Sequence, residues 1–220
     1  MKKIALIIVG LSLFLGAGDF RAVPMEKAQI VQDGKAKMFC NVCGMTLPMF
    51  YKTNHAAEVD GKTHQYCSIH CMFEEAMTKG IKVKNPKVVD NDTLKFIPSP
   101  DAFYVVGSKQ PGTMSTVSKY AFGKKASADA FAKKFGGKVM GYAEVSKIVQ
   151  NGLVKEIAMI KKRQAKAAKM GEKIYKKMCK QTDERFENAA IAKVFIKEHK
   201  LCGKLKGKPF QQVALYLANK

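Results

Sequence analysis

Arginine is scarce in this chain. Only Arg21, Arg163 and Arg185 stand among 39 basic side chains, and tryptophan is absent. Specific base and phosphate readout favours the bidentate guanidinium fork, so this lysine-dominated charge does not point to nucleic acid. Acidic residues are few as well: 18, leaving a formal charge of +21. In an exported protein such an excess reads first as a solvated lysine surface, and second as a match for an acidic partner. Long apolar runs are missing beyond the N-terminus, which excludes a polytopic membrane protein. There is no Ser/His/Asp arrangement, phosphate loop or carboxylate pair, so the signatures of hydrolases and nucleotide enzymes are lacking and no enzyme activity is expected. What is present is a 220-residue globular composition, 47% hydrophobic and 26% charged, sized for one domain or two small ones.

The single apolar run reads as an export leader. Met1-Lys2-Lys3 gives the positive start, Ile4 to Leu15 the apolar stretch, and Gly16-Ala17-Gly18 the small residues for cleavage. The run falls short of the ~20 residues that spanning needs. No cysteine lies near the cleavage region, so a lipid anchor through cysteine is not expected. A leader over residues 1–22 predicts an exported, periplasmic protein that meets the membrane only through that leader.

Three stretches follow: a mixed domain over 23–150, a basic linker helix over 151–171 and a small helical unit over 172–220. From residue 151 onward the net charge is +12. The mixed domain carries a weak internal repeat, with copies at 56–80 and 115–137. Each reads as two strands and a helix closed by glycine. In the first, Asp60-Gly61 marks a hairpin turn. Its helix puts Ile69, Met72, Phe73, Ala76 and Met77 on one stripe, with Ser68 placed to cap it and Gly80 to end it. In the second, Ser127 is the expected cap, and Ala128, Phe131, Ala132 and Phe135 form the stripe. Phe103-Tyr104-Val105-Val106, between the copies, reads as a buried strand. Two ββα units sharing a core make an α+β domain. Past it, Leu153, Ile157 and Ile160 mark one face of the linker helix. Two helices are expected near Gly171–Lys180 and Ala189–His199, and a third from Phe210 to the end.

Sulfur carries the chemistry. Cys40-Asn41-Val42-Cys43-Gly44-Met45 is followed downstream by Cys67-Ser68-Ile69-His70-Cys71. Three readings fit this spacing: a zinc site of four thiolates, or of three with His70; a pair of disulfides; or a soft-metal site for Cu(I). With about 100° per helical residue, Cys67, His70 and Cys71 fall on the side opposite the apolar stripe. Met45 and Met114 sit in loops, where an apolar side chain is either partly buried or a ligand. Met72 and Met77 lie in the stripe and read as core. His55, His64 and His199 are isolated in pattern and read as surface or structural residues. A thiol–disulfide oxidoreductase built on Cys40 and Cys43 would want the motif opening a helix, but Gly44, Met45 and Pro48 follow it.

Phe39 to Met45, the Tyr104–Ser108 strand, the Met114 loop and the run over 127–145 together resemble the NosL family. The resemblance covers residues 36–149. It implies an exported Cu(I) protein that delivers copper to nitrous oxide reductase, or to another copper enzyme or transporter. It places Cys43 and Met45 in the copper site, with Met114 as the later methionine. Cys40, Cys67, His70 and Cys71 go beyond that minimal set, and Zn(II) remains the alternative ion. Farther on, Gly171 to Cys179 resembles the opening of a class I cytochrome c, and Pro209 to Leu217 its final helix. Thr182 and Asp183 stand where the second haem cysteine and the axial histidine would be, so haem is not expected. Cys179 and Cys202 can pair to staple this unit. Its positive surface suits an acidic redox partner, and a plain stabilising appendage fits equally well.

Overall fold

In a computed structural model, residues 19–220 are described. The expected leader, apart from its last four residues, lies outside them. Among the described residues, no helix is long and apolar enough to cross a membrane.

The chain is α+β. Strand β1 (His55–Val59) turns through Asp60-Gly61 into β2 (Lys62–Tyr66), and both turn residues take positive φ as a tight hairpin requires. Helix α1 (Ile69–Lys79) follows and ends at Gly80 in the left-handed conformation. Ser68 occupies the N-cap position, but its hydroxyl finds no partner. Strands β3 (Lys84–Val89) and β4 (Phe96–Pro98) complete an antiparallel sheet of order β2-β1-β3-β4.

The second unit starts earlier than its sequence pattern suggested. Strand β5 (Phe103–Val106) pairs with β6 (Lys119–Phe122), and α2 (Lys125–Phe135) and β7 (Lys138–Gly141) follow in a sheet of order β6-β5-β7. The repeat is therefore ββαβ twice, with the first strand central each time. The buried strand at 103–106 is the first strand of the second copy. The loop over 107–118 takes the place of the two-residue turn, and that long insertion hides the pairing. Ser127 is not the cap either: Lys124 holds that position, and the Lys124 carbonyl accepts from Ser127 N and Ala128 N. Gly123 N donates to Asp90 Oδ1, which fixes where this helix begins.

Helix α3 runs unbroken from Tyr142 to Met178. The linker helix expected over 151–171 and the helix expected near Gly171–Lys180 are parts of this one element. Its Lys and Ala content has high helix propensity, and nothing in the run terminates it. Nor is it a free spacer: Val145, Val149, Leu153 and Ile157 are buried in the core shared by the two sheets. Helices α4 (Ala189–Glu198) and α5 (Gly207–Ala218) pack with Tyr175 of α3 into a second core. Helix α5 begins before Phe210, because Pro209 sits in the first turn, where its missing N–H costs nothing. Cys179 and Cys202 form a disulfide.

A third core lies under α2. Phe20 enters it, with ring centroids 5.4 Å from Tyr120 and 5.9 Å from Phe131. Arg21 Nη1 donates to the Gly112 carbonyl. Both residues lie on the leader side of the boundary at 22, yet both pack into the fold.

His55 is fully buried at the start of β1. Its Nδ1–H donates to the Thr53 carbonyl at 3.1 Å, so Nε2, 3.2 Å from the Tyr104 hydroxyl, accepts. Burial pushes its pKa down to about 3 from an ordinary 6.5. Between those values the unfolded chain binds more protons than the folded one, so stability falls as pH drops from 6.5 towards 3. The slope approaches about 1.4 kcal/mol per pH unit in that window. His55→Gln is expected to flatten this part of the curve. Urea unfolding at pH 7, 5 and 4 reads it, and parallel curves for wild type and variant would contradict it.

Candidate metal centre

Cys40 and Cys43 lie in a tight turn rather than on a helix. Cys40 N donates to the Met45 carbonyl at 2.8 Å, and Gly44 N to the Cys40 carbonyl at 2.9 Å. Gly44 has φ +70°, a conformation glycine takes without steric cost. Buried Gln32 braces the turn from outside. Its Nε2 donates to the Lys37 and Phe39 carbonyls, and its Oε1 accepts from Asn41 Nδ2 and from Gln65 N on β2. Cys67 comes from the end of β2 and Cys71 from the first turn of α1.

These elements bring four sulfurs together. Cys43 Sγ is 3.5 Å from Cys67 Sγ and 3.9 Å from Cys71 Sγ, and Cys67 Sγ is 3.7 Å from Cys71 Sγ. All four Sγ atoms, Cys40 included, lie within 4.8 Å of one another, and all four residues are buried. Burial works against ionisation at Cys40, but hydrogen bonds from Cys43, Cys67 and Cys71 outweigh it and hold that thiol well below its ordinary value. Burial pushes the Cys67 thiol well above it. The Cys71 thiol is raised too, first through its hydrogen bond to Cys40.

The structure does not bring His70 into this group. Its Nδ1 faces Glu156 Oε2 of α3 at 3.0 Å, and its Nε2 is 3.3 Å from Glu74 Oε2. The second contact is close enough for an ion pair but off the line of a hydrogen bond. Burial works against charging this imidazole, but the Glu156 and Glu74 carboxylates outweigh it and raise its pKa. Both faces of the first turn of α1 are buried, so the side opposite the apolar stripe is interior as well.

Met45 and Met114 join the site from elsewhere. Together with Cys43 they line a cleft of about 330 Å³, whose walls include Arg21, Arg163 and Gln211. Met114 has φ +57°, uncommon for a side chain of this size. Its loop is tied down around it. Thr53 Oγ1 donates to Thr113 Oγ1 at 2.8 Å, Ser115 Oγ to Glu156 Oε1 at 2.7 Å and Tyr120 Oη to the Pro111 carbonyl at 2.7 Å. The sulfur donors therefore form two neighbourhoods. One is the closed quartet, the other is the cleft, and Cys43 belongs to both.

Comparison with protein-family models matches residues 31–149 to NosL. This chain belongs to the NosL family. Among solved structures, the copper chaperone NosL from Shewanella denitrificans is 26% identical, with alignment covering 55% of this chain and 96% of that one at a TM-score of 0.41. No curated protein matches.

The part of the chain beyond the NosL match closes over the cysteine turn. Lys193 Nζ of α4 is buried and donates to the Gly44 carbonyl at 2.7 Å. It sits 4.8 Å from the Phe39 ring centroid and 5.0 Å from that of Phe210, a cation between two aromatic faces. Burial pushes its pKa down to about 8. Gln211 Nε2 of α5 donates to the Cys43 carbonyl at 2.9 Å. A Cβ on Gly44 would come within 2.8 Å of Ala189 Cβ, so glycine is needed here for the close approach of α4 as well as for its φ. Lys193, Gln211 and Glu156 carry no local motif, and their partners are far away in sequence. Sequence reading found none of them.

Proposed function

We propose that this protein carries Cu(I) as cargo and hands it to a copper enzyme in the exported compartment, with apo nitrous oxide reductase the first candidate. The observation that carries this reading is the cleft lined by Cys43 and Met45 of the 40–45 turn and by Met114 of the 107–118 loop. One thiolate and two thioethers form a soft, low-coordinate donor set that suits Cu(I) and disfavours harder ions. A cleft open at the surface lets an incoming ligand displace a bound one. Arg163 in its lining adds a positive charge that suits an acidic recipient, whereas the charge of Arg21 is paired with Asp19. Membership of the NosL family supports the same reading. Catalysis by thiol–disulfide exchange is disfavoured, because Cys40 and Cys43 lie in a turn rather than opening a helix.

The test is a competition titration of Cu(I) against a chromophoric chelator, with Zn(II) run beside it. Met45→Leu and Met114→Leu are each expected to weaken Cu(I) binding by about tenfold or more while leaving Zn(II) binding unchanged. Cys43→Ser should abolish the cleft site. Equal copper affinity in all three variants would sink the proposal.

A further inference from the structure

The loop that carries Met114 is held in a shape it would not keep alone. Met114 takes φ +57°, and a long side chain stays in the left-handed region only where its surroundings over-determine it. The loop also folds back on itself: a Cβ on Gly112 would fall 2.4 Å from the Ser115 carbonyl oxygen. Both neighbours of Met114 are tethered. Thr113 Oγ1 is 2.8 Å from Thr53 Oγ1, and Ser115 Oγ donates to Glu156 Oε1 at 2.7 Å.

The Ser115 tether is fully specified. A hydroxyl offers one donor and two acceptor sites, and Ser115 uses all three. It accepts from Lys119 Nζ at 3.2 Å and from Val117 N at 3.2 Å, and its hydrogen goes to Glu156. The other carboxylate oxygen, Glu156 Oε2, is 3.0 Å from His70 Nδ1. His70 is buried in the first turn of α1. Glu156 itself belongs to α3, beyond the stretch 31–149 that matches the family. One carboxylate therefore joins three pieces of chain: the Met114 loop, the start of α1 and the long helix.

We infer that Glu156 is the positioning residue for Met114: it holds the Ser115 hydroxyl against the His70 ring and so keeps the Met114 side chain turned into the cleft. This rests on the cargo reading of that cleft. A hydrogen bond to a carboxylate is roughly twice as strong as one between neutral groups, so Glu156 supplies the firmer of the two tethers. With Ser115 released, Met114 relaxes to negative φ, and its Cα–Cβ bond points elsewhere. Cys43 and Met45 stand in a turn with its own backbone bonds and stay in place. The cleft then keeps two sulfurs and loses the third. A carboxylate that served only to brace α1 against α3 would need His70 alone, and the bond to Ser115 would have no part in it.

The test uses the full protein, reduced, with two readouts: competition titration of Cu(I), and NMR of the protein labelled with 13C at the methionine methyl groups. Glu156→Ala and Ser115→Ala are each expected to weaken Cu(I) binding by about tenfold. Each should also shift and sharpen the Met114 methyl resonance and leave that of Met45 where it was. Glu156→Gln keeps an oxygen for the Ser115 hydroxyl and should restore both readouts, and with Ser115→Ala it carries the comparison if the alanine variant at 156 folds poorly. On a Met114→Leu background, Glu156→Ala should weaken binding no further, because a residue that acts through Met114 has nothing left to act on. A general brace would instead lower the melting midpoint and add its loss to that of Met114→Leu. The inference is overturned if the two losses add, or if Glu156→Ala leaves the Met114 resonance unmoved. A wild type that binds no Cu(I) would end the cargo reading, and the methyl resonances would then decide the positioning on their own.

Discussion

Gly171→Ala is expected to lower stability by about 2 kcal/mol, against the usual sign for such a change. Within a helix, alanine normally gains about 1 kcal/mol over glycine. Here α3 and α5 cross at Gly171. An added Cβ would fall well inside contact distance of the Gln212 carbonyl and within 2.8 Å of Val213 N. Both obstacles are backbone, so no side chain can swing aside. Overpacking of this kind costs roughly 1–3 kcal/mol and sometimes more, enough to reverse the propensity gain. Because Gln211 sits beside this crossing and holds the Cys43 carbonyl, the shift should also loosen the cysteine turn. At about 2–4 °C per kcal/mol for a chain of this size, the midpoint should drop by roughly 4–8 °C. Circular dichroism melts of wild type and variant decide it, and a midpoint that rises would show that the helices do not cross this closely.

Breaking the Cys179–Cys202 disulfide should cost a similar amount. The bridge closes a loop with a sequence separation of 23, and loop-closure entropy for that length is about 3 kcal/mol. The loss should fall on the helical unit, since Lys180, Thr182 and Leu201 around the bridge all pack within it: Lys180 N donates to the Leu201 carbonyl, and Thr182 N to the Tyr175 hydroxyl. Opening of this unit takes Lys193 and Gln211 away from the Gly44 and Cys43 carbonyls. A Cys179→Ser/Cys202→Ser variant is therefore expected to melt earlier and, stripped of metal, to show faster reaction of its four remaining thiols with a thiol reagent. Faster melting with unchanged thiol reactivity would mean that the helices do not shield the turn.

How much of this was legible depended on the range of each interaction. The first ββα unit was readable because its signals are local: Asp60-Gly61 for the turn, Gly80 for the stop, the Ile69–Met77 stripe for the helix. The second unit was misread because β5 and β6 pair across the 107–118 loop, and no turn signal spans such a gap. Helix α3 was divided because Gly171 looks like a boundary in sequence, whereas in space it is the point of contact with α5. The cysteine spacing pointed to a joint sulfur site, and the fold does bring the four sulfurs together, but helical projection alone also carried His70 into it. Only the carboxylate of Glu156, 86 residues away, explains why His70 faces elsewhere. Lys193 reaches Gly44 over 149 residues and Gln211 reaches Cys43 over 168. Such contacts are products of tertiary packing and leave no periodicity to read.

Cys43 stands on the wall between the buried quartet and the open cleft. A single sulfur cannot answer to two ions independently, since electron density drawn to one side is withdrawn from the other. Thermodynamic reciprocity would apply in both directions: whatever factor a ligand on the quartet side imposed on binding in the cleft, binding in the cleft would impose on that ligand. A substitution behind Cys43, on the quartet side of this wall, is therefore felt in the cleft on the other.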